Sequence, residues 1–175
     1  MKTLMTVGII LAVLALGVGQ EKADLAGLSE KINRQIQTKL PDWKSMSPNI
    51  SGTLQSGIVV QSWYVPHRNV HVAIAVRESV EAAKKEIRRY LEFRREPQTL
   101  TGFGDEAFAP EPNGYQYVLR RGRYVIYISI VLFVEEDPDA QKLTKAEQQA
   151  RAKAETERIL KEFATQFSAL ELPGT

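Results

Sequence analysis

The sequence predicts an α+β fold: a mainly antiparallel sheet of about five strands with helices packed on one face, closed by a long C-terminal helix. Three observations predict it. Apolar residues recur at three- and four-residue steps near the start and end of the chain, and at every second position through its middle. The strand-like stretches are grouped in hairpins, with turns at His67-Arg68-Asn69 and Arg121-Gly122. The last stretch opens on Thr144-Lys-Ala-Glu147, which has the spacing of a helix capping box.

The first segment reads as an address rather than as part of the fold. Lys2 precedes an uncharged apolar stretch from Leu4 to Val18, and Gly17, Val18 and Gly19 lead into the polar Gln20-Glu21-Lys22. That order is the pattern of a secretory signal, with small residues where a signal peptidase requires them. Cleavage is expected after Gly19, with Ala15 and Gly17 offering a second site. The chain then divides into a signal peptide at 1–19 and one exported domain at 20–175. An uncleaved anchor is the competing reading, because the stretch falls only slightly short of the ~20 residues that cross a bilayer. Membrane contact is expected only in that case. Either way the domain is expected to be periplasmic or extracellular.

In the domain, Leu25, Leu28, Ile32, Ile36 and Leu40 share one side of an amphipathic helix that Pro41 ends. The stretch from Asp42 to Gly52, rich in Ser, Pro and Asn, reads as a loop. Thr53 to Val65 reads as a strand, paired through a hairpin with the alternating Val70, Val72, Ile74 and Val76. Ser79 is placed to cap a helix with Val80, Ala83, Ile87 and Leu91 on one side. Leu100 to Ala109 reads as a tight turn feeding a short strand. Tyr115 to Arg121 and Arg123 to Val134 follow as two strands, the second apolar on both faces and therefore central. In the final helix Ile159, Leu160, Phe163, Phe167 and Leu170 are expected to anchor to the core, and its first half to stay solvated.

Composition excludes several classes. With 175 residues, 43% of them hydrophobic and 25% charged, the chain suits one ordinary hydrophobic core. The balance of 23 Lys+Arg against 21 Asp+Glu leaves +2, too small for a nucleic-acid footprint. Cysteine is absent, so no disulfide, thiolate nucleophile, Cys-ligated zinc or lipidated cysteine is possible.

Candidate site residues are few. His67 and His71 are the only histidines, so zinc would need carboxylates to complete it, and the expectation is no metal. The acidic run Glu135, Glu136, Asp137 and Asp139 lacks the calcium-loop pattern and is better read as helix capping. No cofactor is expected, since neither dinucleotide nor phosphate-loop spacing is present. No Gly-x-Ser-x-Gly elbow supports a Ser-His-Asp triad. Gly102-Phe103-Gly104-Asp105-Glu106 reads as a structural turn, with Asp105 bonding its backbone. Arg120, Arg121 and Arg123 could converge into an anion-binding patch beside tyrosines, or simply blunt a sheet edge. Trp63 and Tyr64 must point to opposite faces of one strand, and the outward one, beside His67 and Arg68, is the best contact for a small molecule or partner. The candidate ligand-binding set is thus Trp63, Tyr64, His67, Arg68, His71, Arg120, Arg121 and Arg123.

The stretch from Val70 to Val134 resembles exported bacterial domains of unassigned function, including envelope lipoproteins and kinase sensor domains. The resemblance rests on Ser79-Val-Glu81-Ala-Ala83 at the head of a helix, the turn Gly102-Phe-Gly-Asp-Glu-Ala107 and the hairpin Arg121-Gly122. It covers less than half of the chain, and its motifs are structural. The lipidated cysteine and the disulfides are missing here, so neither anchorage nor sensing carries over. The resemblance implies a bacterial envelope setting and no particular chemistry. The leading functional expectation is a non-catalytic extracytoplasmic binding or protein-interaction module, whose partner is an unknown small molecule or envelope protein and not nucleic acid. The alternatives are a hydrolytic enzyme pairing His71 with Asp105, and an oligomeric structural protein assembled through the helix from Lys142 to Phe167.

Overall fold

A computed structural model describes residues 25–46, 57–111, 114–134 and 137–173. The expected signal segment and the start of the Thr53–Val65 stretch lie outside these residues. The elements run α1 (25–39), β1 (Lys44–Met46), β2 (Ile58–Val65), β3 (Arg68–Val76), α2 (Val80–Leu91), β4 (Gln98–Thr99), β5 (Glu106–Ala109), β6 (Gln116–Arg121), β7 (Tyr124–Leu132), a 3-10 turn (Ala140–Lys142) and α3 (Lys145–Ala169). The seven strands form one antiparallel sheet in the order β1-β2-β3-β7-β6-β5-β4. The α+β class, the long last helix and the central place of β7 are as the sequence predicts. The strand count is seven rather than about five, because two short edge strands, β1 and β4, flank the expected ones. The first lies within the segment read as a loop.

The helices do not share one face. The apolar sides of α1 and α3 pack on the face formed by Val59, Trp63, Val70, Val72, Ile74, Ile126 and Ile128, with Phe163 and Phe167 at its centre. The opposite face carries a smaller core in which Ala83 and Ile87 of α2 cover Ala75, Val118 and Val125, rimmed by Tyr90, Phe108 and Tyr127. Strand alternation explains the division: successive residues of β7 point to opposite sides, and its apolar residues on both sides call for a layer on each. The expectation of helices on one face is therefore corrected.

Local signals read from the sequence work as expected. Ser79 caps α2 through its side chain and the amide of Ala82. Thr144 and Glu147 form the reciprocal capping box of α3. Asp137 accepts from the amides of Asp139 and Ala140, which holds its carboxyl below the usual range, with Arg151 and His67 adding to the effect. Ile159, Leu160, Phe163, Phe167 and Leu170 are all buried. Among the described residues no helix is long and apolar enough to cross a membrane.

Candidate functional site

The eight residues singled out from the sequence are spread over the molecule. Trp63 is fully buried against Phe163, ring centroids 5.7 Å apart, and its indole donates to Asn33 Oδ1 at 3.2 Å. It is the centre of the larger core. Arg68 crosses to α3 and pairs with Glu155 at 2.8 Å. His67 holds the β2–β3 turn in the left-handed region at φ 64°, and its carbonyl accepts the amide of Phe133.

The three hairpin arginines do not converge. Arg120 is buried on the α2 face, where its guanidinium bonds Asp105 at 2.8 Å, Glu106 at 3.0 Å and the carbonyl of Gly122 at 3.0 Å. Arg121 points to the other face and donates to the carbonyls of Phe167 and Leu170, closing the C-terminal end of α3. Arg123 lies over the ring of Tyr124, 5.8 Å from its centroid.

This arrangement accounts for the Gly-x-Gly-Asp-Glu-Ala turn. Gly104 sits at φ 59°, and a Cβ there would come within 2.5 Å of the Arg120 carbonyl. That carbonyl accepts the Asp105 amide, while Asp105 Oδ2 accepts from both Arg120 and the Gly122 amide at 2.7 Å. The acidic pair is a clamp on the β6–β7 hairpin, in line with the structural reading of the sequence.

His67 and Arg68 line a small cleft against α3, and Tyr64 and His71 share the open face of the sheet. That face arises because α2 ends at Leu91 and covers only half of its side of the sheet. Beyond it two cross-strand rows stay open. One joins Met46, Ser62, His71, Ser129 and Gln116, and the next joins Lys44, Tyr64, Asn69 and Val131. Tyr64 and His71 are diagonal neighbours across β2 and β3. Met46, Tyr64 and Val131 are 40%, 40% and 41% exposed, large values for apolar side chains on a sheet. The first row is polar, with His71 Nδ1 2.7 Å from Ser62 Oγ.

The rim beside α2 is rigid. Glu86 accepts from Arg77 and from Tyr127, whose hydroxyl is 2.8 Å away, and Tyr90 donates to Gln116. Burial and the bond to Glu86 push the Tyr127 phenol well above its usual range. Sequence reading missed Ser62, Asn69, Ser129, Val131 and Gln116. Their signal was positional: each falls on the outward register of its strand, in line with His71.

The surface carries hydrogen-bonding side chains beside exposed apolar ones. The strand backbones at Ser62 and His71 lie within sheet ladders on both sides, so their amides are not a free oxyanion hole. Asp105 is engaged by Arg120 and Gly122. Glu106, its neighbour, lies three strands across and four residues along from His71, about 19 Å by strand geometry. Among the described residues no group of three or more His, Asp or Glu could hold a metal ion. Comparison with family models, curated proteins and solved structures finds no match to this chain.

Proposed function

We propose that the chain is a non-catalytic binding module of the bacterial envelope, exported by its N-terminal segment, and that its partner is a protein laid across the open half of the sheet. The observation that supports this reading is the exposure of Met46, Tyr64 and Val131 together on one open sheet face beside hydrogen-bonding Ser62, His71, Asn69 and Ser129. Exposed aromatic and aliphatic anchors within a polar surround suit protein recognition. The apolar Leu4–Val18 stretch with its glycine exit supports the envelope setting.

The Ser62–His71 contact favours hydrolysis as a second reading, yet it lacks both a carboxylate for the histidine and an oxyanion hole, so binding is preferred. Position-specific crosslinking in the native envelope tests the proposal. Benzoylphenylalanine placed at Tyr64 or at Val131 should give one shared protein adduct, and at exposed Gln149 on α3 should give none. Absence of a shared adduct, or the same adduct from Gln149, would discard the sheet face as the binding surface.

A further inference from the structure

A second concavity stands apart from the sheet face, between the β4–β6 side of the sheet and the middle of α3. From its lining we infer that it is a binding site for a small monocarboxylate with a short apolar body. The cleft measures about 290 Å³, at the lower edge of the range of ligand pockets. Leu100, Ala109 and Leu160 supply apolar lining among polar and charged side chains. On α3, Lys153, Thr156, Glu157 and Leu160 follow helical spacing and present one side to it.

The polar groups there are donors in search of an acceptor. Thr156 is 4% exposed, and its hydroxyl has no hydrogen-bond partner among the described residues. Threonine in a helix has two populated χ1 rotamers about 120° apart, so this hydroxyl can reorient to a ligand seated in the cleft. Tyr117, buried opposite, makes no side-chain hydrogen bond among the described residues. Burial, with Glu157 adding to it, holds its phenol protonated above the usual range, so at neutral pH it donates.

Charge narrows the ligand. Lys161 is taken by Glu157 at 2.6 Å, whereas Lys153 has no ion pair among the described residues. One free ammonium and two free hydroxyls match a single carboxylate. Glu157 and Glu111 at the same cleft would repel a polyanion such as a phosphate ester.

The test is a nuclear magnetic resonance titration of the full chain with hexanoate, hexylamine and hexanol, matched in length. Hexanoate should shift the amides of Tyr117 and Thr156 saturably, and the amine and alcohol should not. Lys153→Ala, at an exposed position, should weaken hexanoate by roughly tenfold through loss of a charge-assisted bond. Thr156→Val keeps the side-chain shape and removes the orphan hydroxyl. It should leave Tm unchanged or raised while weakening hexanoate by roughly threefold. Equal response to all three probes, wild-type affinity in both variants, or no saturable shift would overturn the site. None of these outcomes bears on the sheet face, which carries no residue of this cleft.

Discussion

The two sides of the sheet are built from the same strands and finished differently. The side under α1 and α3 is filled by large apolar side chains except at the cleft beside β4–β6, and its Gln61 amide donates inward to the carbonyl and hydroxyl of Ser29. The side under α2 is closed for half its length and then turns polar at Ser62, His71 and Ser129, with Tyr64 and Val131 left standing. The difference separates stability from availability. The first side holds the chain folded, which leaves the second free to expose side chains whose loss the fold can tolerate.

Cutting back the two aromatics should show the largest contrast. Phe163→Ala empties the centre of the larger core and should cost about 4 kcal/mol of unfolding free energy, whereas Tyr64→Ala should change it by less than about 0.5 kcal/mol. Urea unfolding curves read both. A comparable loss at Tyr64 would break the contrast and mean that the open half carries structural weight.

An intermediate effect is expected at the clamp. Arg120 is 7% exposed at its side chain, but its partners Asp105 and Glu106 are 49% and 34% exposed, so they regain water when it is removed. Arg120→Ala should therefore cost about 2 kcal/mol, between the two aromatic variants, by the same measurement. Asp105→Asn should cost less, since the amide oxygen still accepts from Gly122.

The smallest effect is in pH. Asp137, Glu147 and Glu157 are held below the usual carboxyl range by backbone amides, by the Thr144 side chain and by Lys161 respectively, each named by its largest cause. Depressed carboxyls stabilise above their unfolded values and lose that contribution as pH falls through the folded ones, so stability should begin to drop below about 4.5. Tyr90, Tyr117 and Tyr127 are raised, chiefly by burial. Raised phenols stabilise below the unfolded value of 10.0 and lose that contribution as pH climbs through the folded ones. Thermal melts across pH should give a plateau between these limits. No fall in stability above pH 10 would show that the phenols are not shielded.

Much of the fold was legible because it is local. Ser79, Thr144 with Glu147, and the alternation in β3 act within a few residues of themselves, and each did what its spacing implied. Lys44–Met46 and Gln98–Thr99 left no pattern, since strands of three and two residues are too short for one and gain their pairing from a neighbour already in place. The side chosen by α2 was half legible. Its periodicity tells which side of the helix is apolar but not which side of the sheet receives it. The needed clue was in β7, where Val125 and Tyr127 are apolar on the outward register before Ser129 turns polar. Of the candidate site, strand parity required Trp63 and Tyr64 to part to opposite faces, and it is Tyr64 that lies outward, on the same face as His71. The arginines were misleading as a group because residues adjacent in a hairpin part to opposite faces, which a count of charges does not register. The cleft was invisible, as Tyr117 and Thr156 meet only once the sheet and α3 are assembled.

The joining of α1 to α3 has a consequence for the order in which the chain can fold. Trp43 meets Phe163 edge-on at 5.0 Å, Gln35 donates to the carbonyl of Gln166 at 2.6 Å, and Lys31 reaches that of Glu171. Contacts so distant in sequence make for slow closure. A nascent chain emerging in order has its first helix ready long before anything exists to cover it. Until α3 is made, the side chains that cover the apolar side of α1 and the inner rows of β2 and β3 do not yet exist.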